Sequence, residues 1–184
     1  MRGRPRFLGA ALLFLVGCGF FSSLPWIRYF EREAWWASEP YFQIPVVVFS
    51  SQALLRNDVF GKGAFGVSRN GGRSHKGIDL LTRVGNPIFA SKSGRVVYAG
   101  GGNGYGLYVE ILHPDETGTR YAHLSQIHTL SGDWVSAGQS IGLSGKTGNA
   151  ADPKILPHLH FEIRKNGQAI DPLADQLDPS ILVR

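Results

Sequence analysis

Four histidines and one aspartate in this chain have the types and spacing needed to bind a metal ion and to move protons. They lie in the motifs S-H-K-G-I-D-L, R-Y-A-H-L-S and L-P-H-L-H-F-E, as His75, Asp79, His123, His158 and His160. Two imidazoles and one carboxylate can hold a zinc ion and leave one coordination position open for water. Two further imidazoles beside that water can transfer its protons. The five residues together predict a zinc-dependent hydrolytic site.

His158 and His160 are two residues apart in a run typical of a β-strand. Because strand side chains alternate between the two faces, both imidazoles point the same way and stand roughly 6 to 7 Å apart. The alternate positions Leu159, Phe161 and Ile163 then face the core. This spacing suits one metal ligand with one acid or base beside it.

His75 and Asp79 are four residues apart, with Gly77 between them and two more glycines just before. This pattern argues against a continuous helix and favours a bent loop that enters a strand. A bend lets both side chains reach one metal ion.

His123 follows Tyr121 by two positions, so we expect both side chains on one face of a strand, with Leu124 turned inward. The alternative is a structural histidine that is bonded to a backbone carbonyl group of its strand.

Three other ionisable residues receive no part in the chemistry. His113 lies in a turn and His128 in a polar connection, so we expect both to be exposed. Glu162 shares the face of the two strand histidines, which already fill the acid and base roles. We expect Glu162 to form an ion pair with a basic neighbour such as Arg95 or Lys165.

The rest of the sequence predicts a mainly β protein built from antiparallel sheets. The 184 residues, 43% of them hydrophobic, suffice for one core, and 24 glycines and 10 prolines suit short strands joined by tight turns. Five β-rich runs follow Pro87, and no amphipathic helical stretch interrupts them. This argues against a doubly wound α/β fold.

The positive charge of the chain does not indicate a nucleic-acid partner. The formal net charge is +5, but residues 1–17 contain three arginines and no acidic residue, and the remainder has 16 basic and 14 acidic residues. A net +2 spread over the rest of the chain is no basic patch. We expect no nucleic-acid binding.

The amino terminus predicts a targeting or anchoring segment at residues 1–27. Arginines precede an apolar run that continues without charge to Ile27. In one interpretation Leu15–Cys18 is a lipoprotein cleavage box and Cys18 becomes the acylated terminus. In the other, the 21 residues Phe7–Ile27 are an uncleaved signal anchor that spans the membrane. Both place the rest of the chain outside the cytoplasm.

Downstream of this segment we expect a linker at residues 28–43, a catalytic domain at residues 44–174 and a tail at residues 175–184. No regulatory domain or coiled coil of any size is evident in the sequence, so we expect control to come from the linker, the anchor or an unknown protein partner.

The motifs in their order along the chain resemble the lysostaphin-type (LytM-type) zinc endopeptidases. The resemblance covers roughly residues 44–174 and includes H-x-x-x-D, Y-A-H-L-S, V-x-x-G-Q-x-I-G-x-x-G-x-T-G and P-H-L-H-F-E-I-R-x-N-G. It implies one zinc ion bound by His75, Asp79 and His160, with His123 and His158 as catalytic residues beside the attacking water. It also implies the fold of the family, a compact antiparallel β-sheet domain with an open groove. One departure is the stretch N-A-A-D-P-K-I-L before Pro157, which is longer than the usual loop of the family and is expected to reshape the groove.

The resemblance also implies a substrate and a location. Members of this family mostly cut cross-links or stem peptides of peptidoglycan, so we expect a membrane-tethered peptidase on the outer side of a bacterial membrane. The alternative is an inactive relative that binds and activates another cell-wall hydrolase. Such relatives usually lack a metal residue, whereas all five positions are filled here.

Overall fold

Short and long β-strands make up nearly all of the regular structure in the part of the chain that is described. The computed structural model describes residues 38–48, 53–69, 71–174 and 176–178. The elements belong to the second of two units into which the chain divides, Glu39–Arg184. In chain order they are β1 (Asn57–Asp58), β2 (Gly61–Lys62), β3 (Ser68–Arg69), β4 (Arg73–Ser74), β5 (Ile78–Leu81), β6 (Pro87–Phe89), β7 (Gly94–Gly102), β8 (Gly106–Leu112), β9 (Thr117–Ile127), β10 (Trp134–Val135), β11 (Ser140–Ser144), the 3-10 helix η1 (Gly148–Ala151), β12 (His158–Lys165) and β13 (Gln168–Ile170).

One nine-stranded sheet carries the fold, and all of its strand pairs are antiparallel. Its main path runs β10-β7-β8-β9-β11-β6, and β12 pairs with β9, β5 and β13. The hairpins β1-β2 and β3-β4 lie outside this sheet. The predicted mainly β, antiparallel fold is confirmed.

Strand β12 shows how the sequence specifies the two faces of the sheet. Leu159, Phe161 and Ile163 are fully buried in the hydrophobic core, as their period of two predicts. Phe161 stands opposite Tyr121 of β9, and their rings lie 5.4 Å apart. The histidines of β12 therefore project from the other face.

Gly77 allows the chain before β5 to approach β12 closely. A Cβ atom at this position would lie 2.2 Å from the carbonyl oxygen of Phe161. This glycine separates His75 from Asp79, so the bend expected there is present and brings both side chains beside β12.

The folded unit extends beyond both ends predicted for the catalytic domain, residues 44 and 174. Phe42 and Leu177 form a parallel bridge, and both are buried in the core. The Glu39 carboxylate accepts hydrogen bonds from the Ser93 backbone N–H, at 2.8 Å, and from the Ser93 hydroxyl, at 2.6 Å. Residues 39–43 are thus packed on the domain.

The predicted anchor, its cleavage box Leu15–Cys18 and linker residues 28–37 lie outside the described residues, as do tail positions 175 and 179–184. Within the described part, no helix has the length and apolar character to cross a membrane.

The expectation for His113 is wrong, whereas His128 is exposed as expected. His113 is 2% exposed because Phe42 covers it, with ring centroids 5.5 Å apart. Its Nδ1 bonds the Ser93 carbonyl oxygen and its Nε2 bonds the Thr119 hydroxyl, each at 2.9 Å. Burial lowers the pKa of His113 to about 4, so the imidazole is a neutral core residue.

Candidate metal centre

The five predicted residues all line one cleft of about 750 Å³. One wall comes from the chain between Arg56 and Asp79, and the other comes from the β7-β8 turn and the segment 149–155. The histidines of β9 and β12 lie between these walls. The sheet therefore unites residues that are up to 85 positions apart in sequence.

Three of the five residues place one donor atom each around a common point. The Nε2 atom of His75 lies 3.0 Å from Oδ1 of Asp79 and 2.9 Å from Nδ1 of His160. The distance from Nδ1 of His160 to Oδ1 of Asp79 is also 2.9 Å. All three residues are more than nine-tenths buried.

This donor set fits a metal ion. Three lone-pair atoms in mutual contact need a shared proton or a cation among them, and two imidazole nitrogens with one carboxylate oxygen are the ligands that zinc takes in open, catalytic sites. The backbone holds the imidazole of His75 in the matching tautomer, because its Nδ1–H donates to the Ala64 carbonyl oxygen at 2.7 Å.

Two arginines that the sequence analysis did not identify hold the other oxygen of Asp79. Arg56 donates to Oδ2 from Nε at 3.1 Å and from Nη2 at 3.0 Å, and Arg69 donates from Nη2 at 2.7 Å. Arg56 also pairs with Asp58 at 2.5 Å. These contacts leave Oδ1 of Asp79 as the oxygen that faces the two histidines.

Glu162 contacts His160 at the ring nitrogen that does not face the other two donor atoms. Its Oε1 lies 3.1 Å from Nε2 of His160 and accepts a 2.7 Å hydrogen bond from the Tyr105 hydroxyl. Its Oε2 accepts from Arg164 at 2.6 Å and from Arg120 at 3.3 Å. The expected ion pair is present, but Arg95 and Lys165 are the wrong partners: Arg120 stands opposite Glu162 on β9, and Arg164 lies on the same face of β12.

His123 reaches the cleft through a β-bulge, not through simple alternation. Between β8 and β9, Leu107 pairs with Leu124 and Val109 pairs with Tyr121, so β9 has one extra residue here. His123 takes a φ of 65°, and its side chain turns away from that of Tyr121, which is buried in the core. The expectation that His123 and Tyr121 share a face is therefore wrong. A positive φ at a non-glycine residue costs about 1–3 kcal/mol, which is characteristic of functional positions.

His123 and His158 stand side by side next to the three donor atoms. Their ring centroids lie 5.1 Å apart, and Nε2 of His158 is 3.9 Å from Oδ1 of Asp79. Each donates its Nδ1–H to a backbone carbonyl oxygen, His123 to Thr147 at 2.9 Å and His158 to Leu156 at 2.7 Å. The Nε2 lone pair of each ring is therefore free to accept a proton.

Comparison with known proteins agrees with this geometry. Residues 73–172, more than half of the chain, match peptidase family M23. The chain belongs to this family. The resemblance to lysostaphin-type peptidases is thereby confirmed, and the M23 match contains all five predicted residues.

Three curated relatives of this M23 chain are substantially longer proteins. A lipoprotein NlpD/LppB homolog of Pseudomonas aeruginosa is 41% identical over 103 residues, which are 55% of this chain and 33% of that protein. A DD-carboxypeptidase/endopeptidase Mpg of Neisseria meningitidis is 40% identical over 102 residues, 55% of this chain and 23% of that protein. The murein hydrolase activator NlpD of Escherichia coli is 40% identical over 110 residues, 59% of this chain and 27% of that protein. This chain thus spans a third or less of each relative.

Two solved structures share the M23 fold. The catalytic domain of the antimicrobial peptidase lysostaphin from Staphylococcus simulans has a TM-score of 0.53 and 36% identity, with coverage of 64% of this chain and 90% of that one. A zinc containing peptidase from Vibrio cholerae has a TM-score of 0.57 and 28% identity, with coverage of 72% of this chain and 41% of that one.

The charges around the M23 site are arranged so that the carboxylates are ionised and two of the imidazoles are neutral. Burial would raise the pKa of Asp79, but its close contacts with His160 and His75 lower it far below its usual range. Burial opposes ionisation of Glu162 as well, yet its contacts with His160, Tyr105 and Arg120 lower its pKa to about 2.

His123 and His158 respond in the opposite sense. Burial and the neighbouring histidines lower the pKa of His123 to about 3. Burial also lowers the pKa of His158, although the charge of Asp79 partly offsets it. Both imidazoles are therefore neutral bases at physiological pH.

The long segment that precedes Pro157 forms part of the cleft in this M23 domain. It begins with η1, and Asn149, Ala150, Asp152 and Ile155 line the wall opposite the loop that carries His75. The expected influence of this segment on the groove is consistent with this position.

Proposed function

We propose that this protein is an exported, membrane-tethered zinc metalloendopeptidase that hydrolyses peptide bonds in peptidoglycan cross-links or stem peptides. The observation that carries the proposal is the convergence of three buried metal donors with two neutral imidazoles in one open cleft. A purely structural metal site has no need of two additional bases, and its coordination is closed.

The five residues divide into three ligands and two proton carriers. His75, Asp79 and His160 would hold one zinc ion, through Nε2, Oδ1 and Nδ1 respectively. Zinc in such a site acidifies water and polarises a carbonyl group. The Glu162 carboxylate fixes the His160 tautomer and makes its Nδ1 more basic, while the arginines orient Asp79.

His123 and His158 would handle the protons and the charge of the reaction. Because both rings present a free Nε2 lone pair, the pair can take the proton of the attacking water and later return it to the leaving amine, and we expect the reaction to need both rings. The ring that carries the proton is then a cation beside the oxyanion of the tetrahedral intermediate and stabilises it. The two histidines thus supply both proton transfer and stabilisation of the oxyanion.

Peptidoglycan is the proposed substrate because one relative that matches this domain, the murein hydrolase activator NlpD, is named for it. The matches to a DD-carboxypeptidase/endopeptidase and to lysostaphin support a peptidase. The proposed location is the bacterial cell envelope, with the domain outside the cytoplasm and tethered through an amino-terminal helix or a lipid on Cys18. Mass spectrometry of the mature protein decides between the tethers, since an acylated Cys18 and an intact Met1 exclude each other.

A second candidate is an inactive module that binds and activates another wall hydrolase. The 40% identity to the activator NlpD favours it. The complete set of five residues in one buried cluster argues for the enzyme instead, because an inactive module does not require a strained His123 or a preoriented donor set.

Zinc analysis combined with digestion of purified peptidoglycan tests the proposal. The full-length protein is expected to bind one zinc ion per chain and to release peptide-cleaved fragments without any added enzyme. The matched control is the variant His158→Ala, which keeps the ligands and should release none. Fragments that appear only when a second wall hydrolase is added would favour the activator, and a protein that binds no zinc would refute the enzyme.

A further inference from the structure

One wall of the cleft carries two cations that form no ion pair within the described part of the chain. The basic residues that line the cleft are Arg56, Arg69, Arg73 and Lys76, and all four lie in the segment that leads to the ligand Asp79. The first two are engaged by Asp79 and Asp58.

Arg73 and Lys76 differ from these two arginines. Both are exposed, and their side chains make no hydrogen bond or ion pair with any residue in the described part of the chain. Arg73 is on β4 and Lys76 is adjacent to the ligand His75, so both flank the segment that delivers a metal donor. Both side chains line the cleft, a position that cations with no role beyond solvation do not require.

The acidic residues of the cleft do not offset this charge. Asp79 is held by two arginines, and Glu162 is held by Arg120 and Arg164. Asp152 is exposed on the opposite wall. A substrate bound across the site thus meets free cations on one side and a carboxylate on the other.

We infer that Arg73 and Lys76 form a subsite for a free carboxylate of the peptide substrate, located within one or two residues of the cleaved bond. This inference rests on the proposed function and specifies its substrate class: a peptide with an ionised side chain or terminal carboxylate on the His75 side of the site. A carboxylate offers two negatively charged acceptor oxygens, one for each cation, whereas a neutral amide of the same shape offers one uncharged oxygen. The two residues determine specificity and take no part in bond cleavage.

A pair of peptides that differ by one functional group tests the subsite. Both carry the same cleavable bond, and the adjacent residue is glutamate in one and glutamine in the other. Wild-type protein is expected to cleave the glutamate peptide with about tenfold higher kcat/KM, mostly through KM, as two exposed ion pairs together supply. The double variant Arg73→Ala, Lys76→Ala should lower this ratio to about one, because it removes the advantage of the glutamate peptide. The variant Arg95→Ala removes an exposed arginine outside the cleft lining and should keep the wild-type ratio.

Equal cleavage of the two peptides by the wild type, or an equal loss for both peptides in the double variant, would overturn the subsite. A binding measurement keeps this result separate from failure of the proposed function. The variant His123→Ala, loaded with zinc, should bind the glutamate peptide about tenfold more tightly than the glutamine peptide, and the preference should disappear when Arg73 and Lys76 are also replaced. A binding preference without cleavage by the wild type would refute the peptidase and retain the subsite. Cleavage of both peptides without a preference would support the peptidase and refute the subsite.

Discussion

The substitution Glu162→Gln tests whether residues behind the metal ligands control metal binding. The Glu162 side chain is fully buried and accepts hydrogen bonds on both oxygens: His160 and Tyr105 donate to Oε1, and Arg120 and Arg164 donate to Oε2. A glutamine has the same shape but only one acceptor oxygen. Its NH2 group must therefore face donors on one of the two sides.

The amide oxygen of the new glutamine is expected to face the two arginines. Arg164 makes a short 2.6 Å charged contact with the Glu162 carboxylate, whereas His160 is 3.1 Å away from it. The NH2 group then faces His160, whose Nε2 must become an acceptor, and its proton moves to Nδ1. Since Nδ1 is the proposed donor to zinc, the metal has to displace that proton. Loss of such a contact costs about 10- to 100-fold in metal affinity. The length of the His160 contact places the expected loss near tenfold, or about 1.4 kcal/mol.

Zinc affinity is measured by competition with a chromophoric chelator, and the His160 tautomer by nitrogen NMR of the imidazole. The matched control is Glu110→Gln, which removes another carboxylate partner of Arg120 but does not touch His160. If Glu110→Gln binds zinc as tightly as the wild type, the lower zinc affinity of Glu162→Gln results from the change at the His160 contact. A Glu162→Gln protein that is folded, retains the tautomer and binds zinc within twofold of the wild type would refute the reasoning.

Three other perturbations have defined outcomes. His160→Ala should abolish zinc binding and activity, whereas His123→Ala should keep zinc and lose activity; equal zinc loss in both would contradict the assigned roles. Gly77→Ala should destabilise the protein by about 2–4 kcal/mol in urea denaturation, since the added Cβ would lie 2.2 Å from a backbone oxygen of β12, while Gly118→Ala, with 3.5 Å of space, should cost far less. The pKa of His113 is lowered from 6.5 to about 4, so the unfolded chain binds that proton first and stability is lost as the pH falls between these values. His113→Gln should remove roughly 3 kcal/mol of this acid destabilisation, and an unchanged difference in unfolding free energy between pH 7 and pH 4 would refute it.

Local pattern was sufficient to predict the parts of the fold in which neighbouring residues act together. The period of two in β12 gave both its core face and the shared direction of His158 and His160, because alternation is a property of a single strand. The bend at Gly77 was predictable for the same reason: the glycine and both flanking side chains lie within five residues of one another.

Features that depend on distant contacts could not be predicted in this way. The bulge at His123 is set by the register of β9 against β8, which the sequence of β9 alone does not contain. Arg56 contacts a carboxylate 23 residues away, and no motif surrounds it. His113 has the composition of an exposed turn, and it is buried because Phe42 from the opposite end of the domain covers it.

The parallel bridge between Phe42 and Leu177 has a mechanical consequence. The Phe42 N–H donates to the Gln176 carbonyl oxygen at 2.9 Å, and the Asp178 N–H donates to the Phe42 carbonyl oxygen at 3.0 Å. Because the two segments run in the same direction, tension between the incoming and outgoing chain would slide them past each other and strain both hydrogen bonds at once. An antiparallel pair pulled from one end would open one bond after the other. If the domain is pulled through the residues before Phe42 and after Asp178, this bridge would thus resist opening.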